Sequence, residues 1–231
     1  MLNLPRIRAI SLDLDDTLWP IWPTIRRAEE RLIEWLSTQA PATARLHGSP
    51  EALRAIRERV GRERTDLHHD MSAMRRESIR QALRESGDDP ALAEAAFDVF
   101  FAARQDVVFY PDALAALERL AARYPLVAVS NGNADIQRVG LGHLFRTAFS
   151  ARQAGVAKPD ARIFHMAADS VAVSPADVLH VGDDIALDVL GAQDAGMQAA
   201  WINREEKLWP HEDRAPEIEC LSLQELCEAL G

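Results

Sequence analysis

At 231 residues, with 48% hydrophobic and 27% charged side chains, the chain has the length and composition of one large globular domain or two modest ones. A net charge of −10 excludes a nucleic-acid binder that works by neutralising phosphates. No apolar run approaches the ~20 residues that a membrane-spanning helix needs, so no membrane partner is expected either. Met1 to Arg8 runs straight into the first strand, and a signal peptide is not expected. Cys220 and Cys227 are the only cysteines. Their spacing permits a bridge, but core thiols in a reducing cytoplasm are the expectation.

In chain order, Ala9-Ile-Ser-Leu-Asp-Leu-Asp-Asp-Thr-Leu18 begins as an apolar strand and ends abruptly in Asp13, Asp15, Asp16 and Thr17. Ionised carboxylates do not belong inside a buried strand, so they crowd where it leaves the sheet. Their mutual repulsion is tolerable where a cation or a reaction uses them. Thr24 to Arg104 then reads as helices, with apolar residues at helical spacing. Ile25, Ala28, Leu32, Ile33 and Leu36 form one stripe, and Leu53, Ile56 and Val60 another, ended near Gly61. Met71, Met74, Ile79 and Leu83 form a third that closes before Gly87, and Ala91 to Phe101 a fourth. Short helices of this kind pack as a bundle. Trp19 to Val107 carries 14 Arg against 15 acids, which leaves nearly all the net charge on the rest of the chain.

From Val108 strands alternate with helices. Pro111 to Arg123 is a predicted helix, Leu126 to Val129 a strand ending in Ser130-Asn-Gly-Asn133, and Ala134 to Leu144 a helix. Thr147 to Ser150 reads as a strand, and Asp160 caps a helix to Ser170. Val178 to Val181 is a strand ending in Gly182-Asp-Asp184, and Ile185 to Ala195 a helix stopped by Gly196. Ala199 to Ile202 is a further strand and Leu223 to Leu230 a closing helix. The expected fold is α/β, a Rossmann-like and mostly parallel sheet with an inserted helical bundle. Residues 1–18 and 108–231 form the expected core, and 19–107 the insertion. Ligands bind beyond the carboxyl ends of such strands, where every polar cluster named above falls.

Asp13-Leu-Asp-Asp-Thr17, Ser130 at a strand end, Lys158 in Val-Ala-Lys-Pro-Asp160, and Gly182-Asp-Asp-Ile-Ala-Leu-Asp188 follow one another in a familiar order. Together they resemble the haloacid dehalogenase-like hydrolases of the subgroup with a helical cap, over essentially the whole chain. Lys158 is conspicuous, because only it and Lys207 are lysines among 26 basic residues. Lysine at that position fits a need for a compact ammonium.

The resemblance implies a phosphatase dependent on Mg²⁺. Asp13 is then the nucleophile that forms an aspartyl phosphate, and Asp15 the acid and base. Asp13, Asp183 and the Asp15 main-chain carbonyl would hold Mg²⁺. Ser130, Asn131 and Gly132 would bind phosphoryl oxygens, and Lys158 would neutralise charge. Thr17, Asp184 and Asp188 belong around these groups, and Asp16 near the metal without touching it. His68-His-Asp70 suits no familiar metal site and is expected to open a helix instead.

Asp15 separates the chain from the metal-free dehalogenases of the family, which lack an acid there. Ser130-Asn-Gly-Asn133, Leu179-His-Val-Gly-Asp-Asp184 and Gly196-Met-Gln-Ala-Ala-Trp-Ile202 look most like bacterial phosphatases of riboflavin biosynthesis and flavin mononucleotide. That likeness implies 5-amino-6-(5-phospho-D-ribitylamino)uracil or flavin mononucleotide as the small-molecule substrate. Trp19 and Trp22 would then stack on a heterocycle, or else pack the cap. Arg75 and Arg76 could steer an anion, although a solvated helix face is the expected role. Other phosphomonoesters, a phosphomutase and a phospho-aspartate signalling module are the alternatives.

Overall fold

The computed structural model describes residues 2–231. Six strands, β1 (Ala9–Leu12), β2 (Leu126–Ser130), β3 (Thr147–Ser150), β4 (Val178–Gly182), β5 (Gln198–Ile202) and β6 (Ile218–Cys220), form one sheet in the order β3-β2-β1-β4-β5-β6. Every pairing is parallel. Among the described residues the α-helices are α1 (Ile21–Gln39), α2 (Pro41–His47), α3 (Pro50–Glu63), α4 (Met71–Ser86), α5 (Ala93–Arg104), α6 (Ala113–Ala121), α7 (Ala151–Ala154), α8 (Ala161–Ser170), α9 (Gly191–Asp194) and α10 (Leu223–Leu230).

The chain divides into two compact units, residues 1–20 with 108–231, and residues 21–107. Trp19 and Pro20, assigned to the insertion by sequence, belong to the first unit. The backbone N–H of Tyr110 donates to the carbonyl of Leu18 at 2.9 Å, so the segment leaving the first unit lies beside the segment returning to it.

In the first unit, β1, β2 and β4 are buried along their whole length, as their near-continuous apolar sequences require. Val127, Val129, Ile163, Phe164, Val178, Val189 and Trp201 build the core on one side of the sheet. The chain leaves β1 towards β2 on one side and later returns to β4 on the other. That topological switch point opens a crevice at the carboxyl end of β1.

In the second unit, Ala28, Leu32 and Leu36 of α1 pack with Ile79, Leu83, Phe97 and Phe100. Ser49 and Asp70 cap α3 and α4 by accepting the Ala52 and Ala73 N–H groups, and Gly87 ends α4 at φ 78°. The third stripe begins on an exposed residue, Met71, and α3 continues through Gly61 to Glu63. Arg75 is not on a solvated face. It is 6% exposed, donates to the buried Glu29 at 3.1 Å and lies 4.1 Å from the Phe100 ring centre. Arg76 donates to Glu94 at 2.9 Å and covers Phe97.

The helix predicted over Ala134–Leu144 does not form, and the segment is a series of turns. Gly140 at φ 86° breaks propagation, and the Asp135 carboxylate accepts the Gln137 and Arg138 N–H groups that a helix would use. The helix predicted over Ile185–Ala195 is a π-helical turn, Ile185–Leu190, followed by α9. Pattern reading also passes over α2, α7 and β6, each short. Both cysteines are buried and free. Among the described residues no helix is long and apolar enough to cross a membrane.

Candidate active site

Asp13 follows β1 directly, and its N–H donates to the Val181 carbonyl of the neighbouring β4 at 2.9 Å. This holds the residue in the crevice with 7% exposure. Lys158, 4% exposed, donates to Asp13 Oδ1 at 2.5 Å and to Asp188 Oδ1 at 2.6 Å. Burial works against the ammonium, but the two carboxylates more than offset it and hold the Lys158 pKa above its ordinary value. Burial likewise works against the Asp188 carboxylate, yet Lys158 and His180 keep its pKa well below the usual range.

Asp183 completes the acidic group. Carboxylate oxygens of Asp13, Asp183 and Asp188 lie within 4.8 Å of one another, a spacing that one cation spans. Burial, then the charges of Asp188 and Asp16, push the Asp183 pKa up to about 7. Burial also raises Asp13, with Lys158 opposing it and Asp188 and Asp183 adding to it. A site this short of positive charge, built from oxygen donors alone, fits a hard divalent cation.

The surrounding groups hold these carboxylates in place. Thr17, fully buried, donates to Asp183 Oδ1 at 3.1 Å, and the Trp201 indole donates to the Asp183 carbonyl at 2.8 Å. Arg204 reaches the Thr17 carbonyl at 3.1 Å while gripping Asp112 with both terminal nitrogens. A β-carbon on Gly182 would stand 2.2 Å from the Asp188 carboxyl carbon, so only glycine lets that carboxylate lie against β4.

A family model of the haloacid dehalogenase-like hydrolases matches residues 7–196. The chain belongs to that family. This hydrolase is 35% identical over 206 residues to the 5-amino-6-(5-phospho-D-ribitylamino)uracil phosphatase YigB of Escherichia coli K12, covering 87% of the chain and 86% of that protein. It is 33% identical to a phosphoserine phosphatase of Thermus thermophilus, over 97% of the chain and all of that protein. Among solved structures, a 2-haloacid dehalogenase from Pseudomonas syringae superposes with a TM-score of 0.89 at 38% identity, over 97% of this chain and 98% of that one.

Within the hydrolase, Asp13, Asp183, Asp188 and Lys158 come together. Ser130, 4% exposed, accepts the Gly132 N–H at 2.9 Å. The Asn131 side chain does something its sequence position did not suggest. Its amide donates to the Lys158 carbonyl at 2.9 Å and its oxygen accepts the Lys158 N–H at 2.7 Å, clasping the lysine's backbone. Asp184 is exposed and caps the π-helical turn by accepting the Ala186 and Leu187 N–H groups, both at 2.8 Å.

Asp15 accepts the Trp19 indole N–H at 2.8 Å, and Asp16, at φ 60°, donates its N–H to the Trp19 carbonyl at 2.7 Å. Trp19 is fully buried and meets Phe109 edge to face, so it offers no ring face for a substrate to stack on. Its indole N–H is committed to Asp15 and its ring to Phe109, both within the first unit. Trp22, in the second unit, is 58% exposed with the Arg54 guanidinium 5.3 Å from its ring centre. His68 bonds the Gly61 carbonyl through Nε2 at 2.8 Å.

Sequence reasoning passed over Ser11 and His180. Each is a lone polar residue in an otherwise apolar strand, placed just before an acidic strand end. The register that pairs them is visible only in the sheet.

Proposed function

We propose that the chain is a phosphatase of small-molecule phosphomonoesters, dependent on Mg²⁺ and working through an aspartyl phosphate on Asp13. The observation that carries this reading is a buried Asp13 gripped by Lys158, with a second acid, Asp15, two residues on. The Asp13 and Asp183 carboxylates and the Asp15 main-chain carbonyl would hold the cation. When bound, it supplies the positive charge that lets a carboxylate approach a phosphate dianion.

In this mechanism Asp13 attacks phosphorus, and the P–O bond to the leaving group breaks. Asp15 gives its proton to the departing alkoxide, then takes one from the water that hydrolyses the acyl phosphate. The Trp19 indole orients the Asp15 carboxylate for both transfers. Lys158 spends two of its three N–H groups on Asp13 and Asp188 and keeps one for a phosphoryl oxygen. Ser130 and the Asn131 N–H bind the remaining oxygens, with Gly132 allowing close approach. Thr17 steadies Asp183, while Asp184 and Asp188 support the site from behind.

An acid at position 15 also favours phosphate over halide chemistry, because a departing halide needs no proton and a departing alkoxide does. The first unit would carry the chemistry, and residues 21–107 would act as the cap that selects the substrate. The E. coli relative supports the ribitylaminouracil phosphate as that substrate, and the likeness of the motifs to the riboflavin-pathway phosphatases adds flavin mononucleotide.

The test is phosphate release by purified protein with Mg²⁺ from a generic aryl phosphate, abolished in Asp13→Asn. Release of chloride from 2-chloropropionate in its place would overturn the reading. Catalytic efficiencies across the ribitylaminouracil phosphate, flavin mononucleotide, phosphoserine and phosphoglycolate then decide the substrate. A preference for either of the last two would remove the riboflavin assignment alone.

A further inference from the structure

A buried chain of hydrogen bonds runs from the sheet to the nucleophile. Ser11 on β1 and His180 on β4 face each other in register. Ser11 Oγ is 2.8 Å from His180 Nδ1, and His180 Nε2 is 3.1 Å from Asp188 Oδ1. Asp188 Oδ1 also accepts from Lys158, which reaches Asp13. Ser11 and Asp188 are 1% exposed and His180 not at all, with the Phe164 ring edge-on to the imidazole at 4.9 Å.

Chemistry settles where the imidazole proton lies. An ionised carboxylate facing Nε2 requires a proton there, since a bare nitrogen would repel it. Burial disfavours the doubly protonated ring and lowers its pKa. Nδ1 is therefore bare and accepts the Ser11 hydroxyl proton. The other oxygen of Asp188, Oδ2, accepts the Asp184 N–H at 3.1 Å. Both oxygens of Asp188 are thus claimed by donors of the chain, although it stands within reach of the other two acids.

We propose that His180, its tautomer locked by Ser11, is a positioning residue that keeps Asp188 on Lys158, so that Lys158 stays aimed at Asp13. The kinetic part rests on the phosphatase reading; the ring's tautomer does not. Without His180 the carboxylate would lose a donor and turn towards the acidic group. Lys158 would then lose the anchor that fixes its amine between nucleophile and substrate.

The test compares His180→Phe, His180→Gln and Ser11→Ala with wild type, by kinetics, thermal melting and NMR of protein labelled with ¹⁵N-histidine. His180→Phe should lower kcat about 10-fold or more with KM changed by less than about twofold. His180→Gln, which places an amide N–H near the old Nε2, should recover most of that loss. Ser11→Ala should cost less and add nothing to His180→Phe. The ¹⁵N signals absent from His180→Gln should show the neutral Nε2–H form in wild type and a mixture of tautomers in Ser11→Ala.

A wild-type ring protonated at Nδ1 alone would overturn the proposal. So would a kcat loss in His180→Phe that only tracks the lost folded fraction, or a His180→Gln no better than the Phe variant. If wild type releases no phosphate, the phosphatase reading fails by itself, and the ring spectrum still decides between lock and no lock.

Discussion

The Trp19 indole N–H donates to the Asp15 carboxylate at 2.8 Å from a fully buried ring. One residue thus packs the interior and aims a carboxylate. Trp19→Phe keeps an aromatic core and removes the donor. The expected result is a fall in kcat with little change in KM, and a stability loss of about 1.5–3 kcal/mol, the usual worth of a hydrogen bond to a charged group. Steady-state kinetics and urea unfolding check both.

Lys158 offers a sharper contrast between substitutions. Lys158→Met leaves Asp13 and Asp188 buried without their shared cation, and breaking a buried pair in this way costs about 3–5 kcal/mol. Lys158→Arg keeps the charge but replaces a compact ammonium with a planar fork between two carboxylates. Both should be inactive, with only the Arg variant approaching wild-type stability in chemical denaturation.

The acidic group gives a signed dependence on pH. Asp183 carries a pKa of about 7 in the folded chain, above its ordinary 3.8, because burial and the neighbouring acids oppose its charge. Its stabilising contribution is therefore complete at low pH and is lost as pH rises through about 7. His180, lowered by burial, acts oppositely and destabilises as pH falls below its ordinary 6.5. The difference in melting temperature with and without Mg²⁺ isolates the acids from His180. That difference should grow from pH 5 to pH 8, and Asp183→Asn should flatten it.

In the helical unit, Arg75 and Glu29 form an ion pair with side-chain exposures of 7% and 2%. Arg75→Met should destabilise the protein at the lower end of about 3–5 kcal/mol, because Arg57 remains 3.5 Å from Glu29. Replacing Glu29 as well with an apolar residue should recover much of that loss. Equilibrium unfolding of the single and double variants measures it.

Acids that terminate an apolar strand announce a site, because their desolvation cost admits few bland explanations. Asp13 and Asp183 were legible for that reason, and Lys158 through its scarcity. Asp160, Asp70 and Gly87 were legible as helix ends, where local hydrogen bonds or a positive φ decide. Trp19 was not, since an indole after a loop can face a ligand or the interior equally well. Ser11 and His180 stayed hidden because each means something only opposite the other, across two strands distant in sequence. The turns over Ala134–Leu144 escaped it because apolar spacing survives a break that Gly140 and the Asp135 carboxylate impose on the backbone.

The hydrogen bond between the Tyr110 N–H and the Leu18 carbonyl ties together the points where the chain departs for residues 21–107 and comes back. Bringing its ends side by side costs a closure entropy that grows only slowly with length, about 0.6 kcal/mol for each doubling, so the first unit tolerates segments of different size there. Asp13, Asp183, Asp188 and Lys158 all lie outside it. This segment can therefore be traded for another as a cassette while the acidic group and Lys158 stay where they are.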